Sequence, residues 1–215
     1  MLKTALRTSQ WAIIAASVLF APLVAQAQWI PLTARITESK LTTKPDKSTH
    51  LESSEGFLYR WANGNETQRT KVVADGKLVQ DVATVIDNQK LRVYEVDYIR
   101  KVVREVKKLD SPRIPVLSTT HDNKPVPEEL VDGIKCYAFP VVLAGKEVGK
   151  MWVSKDYKIP IKSDYEIPDK GTTVHIQSHT HDIQARREPD HKFFEIDPSF
   201  RVEKSISQND GATKH

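Results

Sequence analysis

Side-chain alternation most narrows what this chain can fold into. Phe57, Tyr59 and Trp61 alternate with Leu58 and Arg60, and a period of two puts successive side chains on opposite faces of a strand. Asn63-Gly64 follows, a hairpin signal because both residues tolerate positive φ. Thr67 to Ala74 reads as the return strand and Asp75-Gly76 as a second turn of the same kind. Leu78 to Ile86 is the next strand, with Val82, Thr84 and Ile86 on one side. Asp87-Asn88 turns the chain into Leu91, Val93 and Tyr94 to Val96. Strands about ten residues apart, joined by tight turns, predict an antiparallel meander.

Asp97–Leu109 carries two signals. Ile99, Val102, Val103, Val106 and Leu109 recur at helical spacing, and Asp97 stands where a cap would. Four of these five apolar residues are β-branched and the neighbours are strands, so the balance falls to strand. Asp110–Gly133 holds Pro112, Pro115, Pro125 and Pro127 among polar residues and reads as a long Pro-rich loop. The rhythm then resumes. Ile134 to Leu143 is a strand whose Pro140 asks for an edge or a bulge. Gly145-Lys146, Lys155-Asp156 and Pro168 to Gly171 are turns between Glu147–Ser154, Ile159–Ile167 and Thr172–Ile183. Trp29–Thr43 also looks like a strand. Residues 28–203 are expected to form a single β-rich domain. Phe193-Phe194 and Pro198–Phe200 are expected to pin its end, with 204–215 a polar, disordered tail.

The first residues point to a compartment. Lys3 and Arg7 precede an apolar run from Trp11 to Val24, and Ala25-Gln26-Ala27 is a small-x-small cleavage site. Residues 1–27 therefore read as a signal peptide. The run of about 14 residues spans roughly 21 Å as a helix, short of a ~30 Å hydrocarbon core. The expected location is the periplasm, with full secretion as the alternative. The whole chain has 32 basic and 28 acidic residues, net +4. Lys3 and Arg7 account for +2, leaving 30 against 28, or +2. That balance gives no sign of a nucleic-acid partner. The one cysteine, Cys136, rules out a disulfide framework and reads as a small buried hydrophobe.

Two stretches carry a family resemblance. Met151-Trp152-Val153-Ser154-Lys155-Asp156 running into Ile159-Pro160-Ile161-Lys162 resembles the Trp-strand, turn and Pro-strand hairpin of LolA-like periplasmic proteins. Phe194-Glu195-Ile196-Asp197-Pro198 is similar to the closing segment of that superfamily. Trp61 to Asn65, Arg69 and Asp75-Gly76 resemble its early hairpins. The chain is closer to a secreted branch than to the lipoprotein carrier itself. The resemblance implies a curved antiparallel sheet forming a half-open barrel, with an apolar concave face open to a lipid or other hydrophobic molecule. The carrier's first amphipathic helix has no counterpart at Trp29–Thr43, so no carrier residue is transferred.

Candidate sites follow from the strands. Phe57, Tyr59, Trp61 and Trp152 either fill a core or line a hydrophobic pocket. His175, His179 and His181 share one strand parity and are the candidate metal ligands. Val174 and Ile176, of opposite parity, would leave them facing solvent. No nucleophile elbow, His-Glu-x-x-His, Cys-x-x-Cys or phosphate loop occurs, and neither an enzyme nor a cofactor is expected. Asn65-Glu66-Thr67 is a glycosylation sequon, and Lys101, Arg104, Lys107 and Lys108 form a basic run whose default reading is a solvated face. The leading expectation is an exported, non-enzymatic protein that binds a hydrophobic ligand on the concave face. The alternatives are a filled-core module that engages an envelope protein at an open sheet edge, and a His-dependent metal-binding protein.

Overall fold

The computed structural model describes residues 28–203, apart from 75, 116, 118, 122, 123 and 170. The signal-peptide reading of 1–27 and the tail reading of 204–215 lie outside the described residues.

The chain is mainly β. β1 (Leu32–Thr43), β2 (Thr49–Arg60), β3 (Glu66–Ala74), β4 (Lys77–Asp87), β5 (Arg92–Asp97) and β6 (Val102–Lys108) form one antiparallel run. β7 (Thr120–His121) and β8 (Lys124–Pro125) make a small separate hairpin in the Pro-rich loop. β9 (Glu128–Val131), β10 (Ile134–Leu143), β11 (Lys146–Ser154), β12 (Pro160–Asp169) and β13 (Thr172–Ala185) form the second run. β1 joins the two runs by pairing with both β2 and β13. The resulting sheet has the order β14-β6-β5-β4-β3-β2-β1-β13-β12-β11-β10-β9. β14 (Arg201–Glu203) lies parallel to β6, the one departure from the expected antiparallel pattern.

The sheet curls without closing. β2 and β12 are three strand steps apart, roughly 14 Å on a flat sheet. Yet Arg60 Nη1, at the end of β2, donates to the Tyr157 carbonyl in the turn before β12 at 2.6 Å. The curl is toward the face bearing Arg60, Leu58 and Ala34, which becomes the inner face of a half-open barrel. Leu32, Ala34, Leu58, Cys136, Ile159 and Ile161 form its buried cluster, with Trp152 packed against it. A second cluster, Ala83, Val85, Val96 and Val103, is covered by Phe194, Ile196 and Phe200 from the end of the chain.

Three local readings change. Glu128–Val131, inside the stretch expected to be a Pro-rich loop, forms β9 and pairs with β10. The expected strand over Asp97–Leu109 begins only at Val102, because Tyr98 to Lys101 form a turn. The Arg100 amide donates to Asp97 Oδ1 at 2.9 Å, and Lys101 has φ 53°. Asp97 thus organises a turn, not a helix. On β4 the buried side is Ala83 and Val85, with Ile86 joining them, and not the side of Val82 and Thr84.

Candidate functional site

The four aromatic residues do not meet in one hollow. Phe57 stacks on Tyr59 at 6.3 Å between ring centroids, and Tyr59 stacks on Phe193 at 4.1 Å. Tyr59's phenol is pushed up, chiefly by burial. Trp61 is buried; its Nε1 donates to the Pro189 carbonyl at 3.1 Å, and its ring meets Phe194 edge-on. Burial and a satisfied indole N–H are what a core tryptophan needs. Phe57, Tyr59 and Trp61 therefore form a ladder that the segment Pro189–Phe194 covers. Trp152 lies four strand steps from β2. Its Nε1 donates to Glu129 Oε2 at 2.6 Å, and Lys162 Nζ sits 5.4 Å over its ring.

The histidines do share a face, as the parity argument expects. Cross-strand partners Leu41, Thr37 and Arg35 stand opposite His175, His179 and His181. Each imidazole lies beside a carboxylate of its own. His175 Nε2 is 2.7 Å from Asp164 Oδ1, His179 Nε2 is 2.7 Å from Asp132 Oδ2, and His181 Nδ1 is 3.0 Å from Asp182 Oδ2. The His175 contact, the largest influence, holds the Asp164 carboxyl below its ordinary value. Among the described residues no three His, Cys, Asp or Glu side chains come together as metal ligands.

The inner face differs from the uniformly apolar hollow expected. One end is apolar and already filled by its own side chains, because Leu32, Ala34, Leu58 and Ile161 are buried together. The other end is polar. Lys40 Nζ donates to Glu52 Oε2 at 3.4 Å, and the Ser163 and Ser178 hydroxyls are 2.6 Å apart. A shallow indentation of about 210 Å³, open solvent included, is lined by Glu38, Lys40, Glu52, Ser53, Ser54 and Val72. Burial pushes the Glu38 carboxyl up; Lys40 opposes this and Glu52 adds to it. Tyr165 is 3% exposed and, among the described residues, its hydroxyl has no partner; burial, then Glu38, drives that phenol far up. Even-numbered residues of β1 and β2 face inward, so Glu38, Lys40 and Glu52 share the face of Leu32 and Leu58. Phe57 and Tyr59, expected on the concave side, have the opposite parity and lie on the outer face.

The Pro-rich loop closes the filled end. Arg113's amide donates to Asn88 Oδ1 at 2.6 Å, and its carbonyl accepts from Trp29 Nε1 at 3.1 Å. Trp29 lies between the guanidinium groups of Arg60 and Arg113, 4.7 and 5.3 Å from the ring. Both arginines address Glu66, at 2.8 and 3.5 Å. Burial pushes the Glu66 carboxyl up, but Arg60 and then Arg113 outweigh it and leave it lowered.

The largest contrast with this closed end is at the opposite end of the sheet. Leu41 stands directly across from Leu51, and Val73 across from Leu78. Leu51 and Val73 are one diagonal step apart, since Ser53 pairs with Val73. A bulge between Val72 and Val73 turns Val79 out as well. Leu51 is 62% exposed, Val79 55% and Leu78 51%. Four neighbouring strands thus present an exposed aliphatic end. The sheet edges are less inviting. β9 pairs only with Ile134–Tyr137, and the uncovered stretch of β10 contains Pro140, which has no N–H to offer. β14 covers Val102–Arg104, and the uncovered part of β6 ends in Lys107-Lys108.

No protein-family model matches the chain, and no curated protein sequence matches it. Solved structures do. One is an uncharacterized conserved protein from Thermus thermophilus, 12% identical, covering 79% of this chain and 90% of that one, with a TM-score of 0.44. Another is a LolA superfamily protein from Nitrosomonas europaea, 12% identical, covering 76% and 90%, with a TM-score of 0.32. A third is the MucA/MucB complex of Pseudomonas aeruginosa, 12% identical, with a TM-score of 0.42. The match covers 83% of this chain but only 59% of that one. A LolA superfamily protein is thus among the structural matches. What this sheet binds has to come from its own residues.

Proposed function

We propose that this chain is an exported, non-enzymatic binding protein of the periplasm whose contact surface is the exposed aliphatic end of β1–β4. Its partner is hydrophobic, either a lipid or an apolar protein segment. The exposure of Leu41, Leu51, Val73, Leu78 and Val79 on four adjacent strands carries this reading. Contiguous exposed aliphatic side chains are the surface a soluble protein keeps for contact. The sheet's interior supports the reading from the other side. Its apolar part is occupied by the chain's own side chains, and Phe57, Tyr59, Trp61 and Trp152 are each engaged within the protein. Pro140 and Lys107-Lys108 make strand addition at either edge the weaker route. The aliphatic end offers burial.

The test is a photo-crosslinking side chain placed at Leu51 and, as a control, at the exposed Lys135 on β10, in cells that make the protein. A discrete adduct at position 51 and not at 135 is expected, whether with lipid or protein. Equal labelling at the two positions, or none, would remove the reading.

A further inference from the structure

We infer that the aliphatic end of the sheet docks on an anionic lipid surface; this rests on the proposed contact surface and names its partner. The geometry starts with reach. Leu41 is nine residue steps along β1 from the filled core at Leu32, about 30 Å at strand rise. The C-terminal segment covers Tyr59 and Trp61 but stops short of Leu51. The aliphatic side chains at the two hairpin ends are therefore left bare.

Charge chooses the partner. Lys44 and Lys47 lie in the β1–β2 turn, Lys77 opens β4 just after the β3–β4 turn, and Lys71 lies within β3, across from Glu55 and Asp81. All four are exposed, and among the described residues none makes an ion pair. The acid beside Lys47, Asp46, is held by the Ser48 amide at 2.9 Å and the Ser48 hydroxyl at 2.6 Å. The same turn is fixed by the Lys44 amide to the Ser48 carbonyl and the Lys47 amide to the Lys44 carbonyl, each 2.9 Å. The result is a firm apolar tip ringed by ammonium groups on flexible stems. A bilayer interface complements both parts. Aliphatic side chains enter at the boundary of headgroups and acyl chains, while lysines reach back to phosphates. Each lysine near an anionic surface contributes about a fivefold gain in partitioning. A neutral apolar segment of a protein would make use of the leucines and leave the lysines idle.

Vesicle flotation tests this with protein expressed from the full sequence. Vesicles of phosphatidylcholine alone are compared with vesicles of phosphatidylcholine and phosphatidylglycerol. Flotation with the anionic vesicles is expected, weakening in high salt. Lys44→Gln and Lys47→Gln together should lower partitioning by about 25-fold, and L51S with L78S should abolish it. Circular dichroism of each variant should match the parent, because every changed side chain is exposed. Absence of flotation, or flotation indifferent to lipid charge and to the lysines, would overturn the inference. A protein adduct from the crosslinker at position 51 without flotation would leave the contact surface standing and remove the lipid. Neither adduct nor flotation would remove both.

Discussion

Replacing Arg60 by Met should be among the most damaging single changes to the closed end of the sheet. Arg60 is buried, its side chain 3% exposed and that of Glu66 12%. It pairs with Glu66 at 2.8 Å, donates to the Tyr157 carbonyl at 2.6 Å and lies over the Trp29 ring. Methionine approximates the stem and removes all three. Removing one member of a buried pair strands the other charge and costs about 3–5 kcal/mol. Glu66 keeps a second cation, Arg113, at 3.5 Å, so the lower part of that range applies. At about 2–4 °C per kcal/mol for a chain of this size, R60M should melt roughly 6–12 °C lower. The double variant R60M/E66L removes both charges and should recover much of the loss, since buried pairs exchanged for apolar residues are often close to neutral. Thermal and urea unfolding of the three proteins at pH 7 read this directly. A single variant within about 1 kcal/mol of the parent would refute the assignment of Arg60 as a cross-sheet clamp. So would a double variant no more stable than the single.

Three further outcomes follow from the same geometry. Glu66 is held below its unfolded value of 4.5, so its contribution is fully present above that pH and is lost as pH falls through the folded value. Urea midpoints should therefore drop on acidification below 4.5, and E66Q should flatten that part of the profile; an unchanged profile would contradict the pairing. Y165F should leave stability unchanged or raise it by about 1 kcal/mol, because the buried hydroxyl has no partner to lose among the described residues; a loss measured by urea unfolding would reveal a partner. A methyl group at Gly149 would fall 2.2 Å from the Asp164 carbonyl oxygen and 2.4 Å from Tyr165 Cα. G149A should thus cost roughly 1–3 kcal/mol by strand separation, and an unperturbed melting temperature would show that β11 and β12 are less closely apposed than described.

Much of the architecture was legible because its signals are local. The alternation at Phe57 to Trp61 needs only neighbouring residues, and so does the turn at Asn63-Gly64, where Gly64 has φ 84°. Pro140 likewise asked for an edge or a bulge; it lies on the stretch of β10 that β9 leaves uncovered, next to a register shift between Val141 and Val142. What the sequence hid depends on distant parts of the chain. Nothing near Tyr59 or Trp61 says that Phe193 and Phe194, more than 130 residues later, will cover them. The same limit applies to Arg113, whose role comes from docking on Asn88 and Trp29. For the histidines, parity placed all three on one face. Their side chains nonetheless turned to separate acids, one of which, Asp132, lies in the turn before β10. The exposed aliphatic end was written in plain sight at Leu41, Leu51, Leu78 and Val79. Alternation alone does not say which strand ends extend beyond the covering segments.

The central claim is that the sheet is filled inside and makes its hydrophobic contact outside, at the ends of its first two hairpins. Native mass spectrometry of the protein gently purified from its own cells tests it most directly, with L51D/L78D beside the parent. Any lipid retained by the parent should be absent from the double variant while both remain folded. A lipid held in one-to-one ratio by both proteins would place the ligand within the sheet and contradict the account.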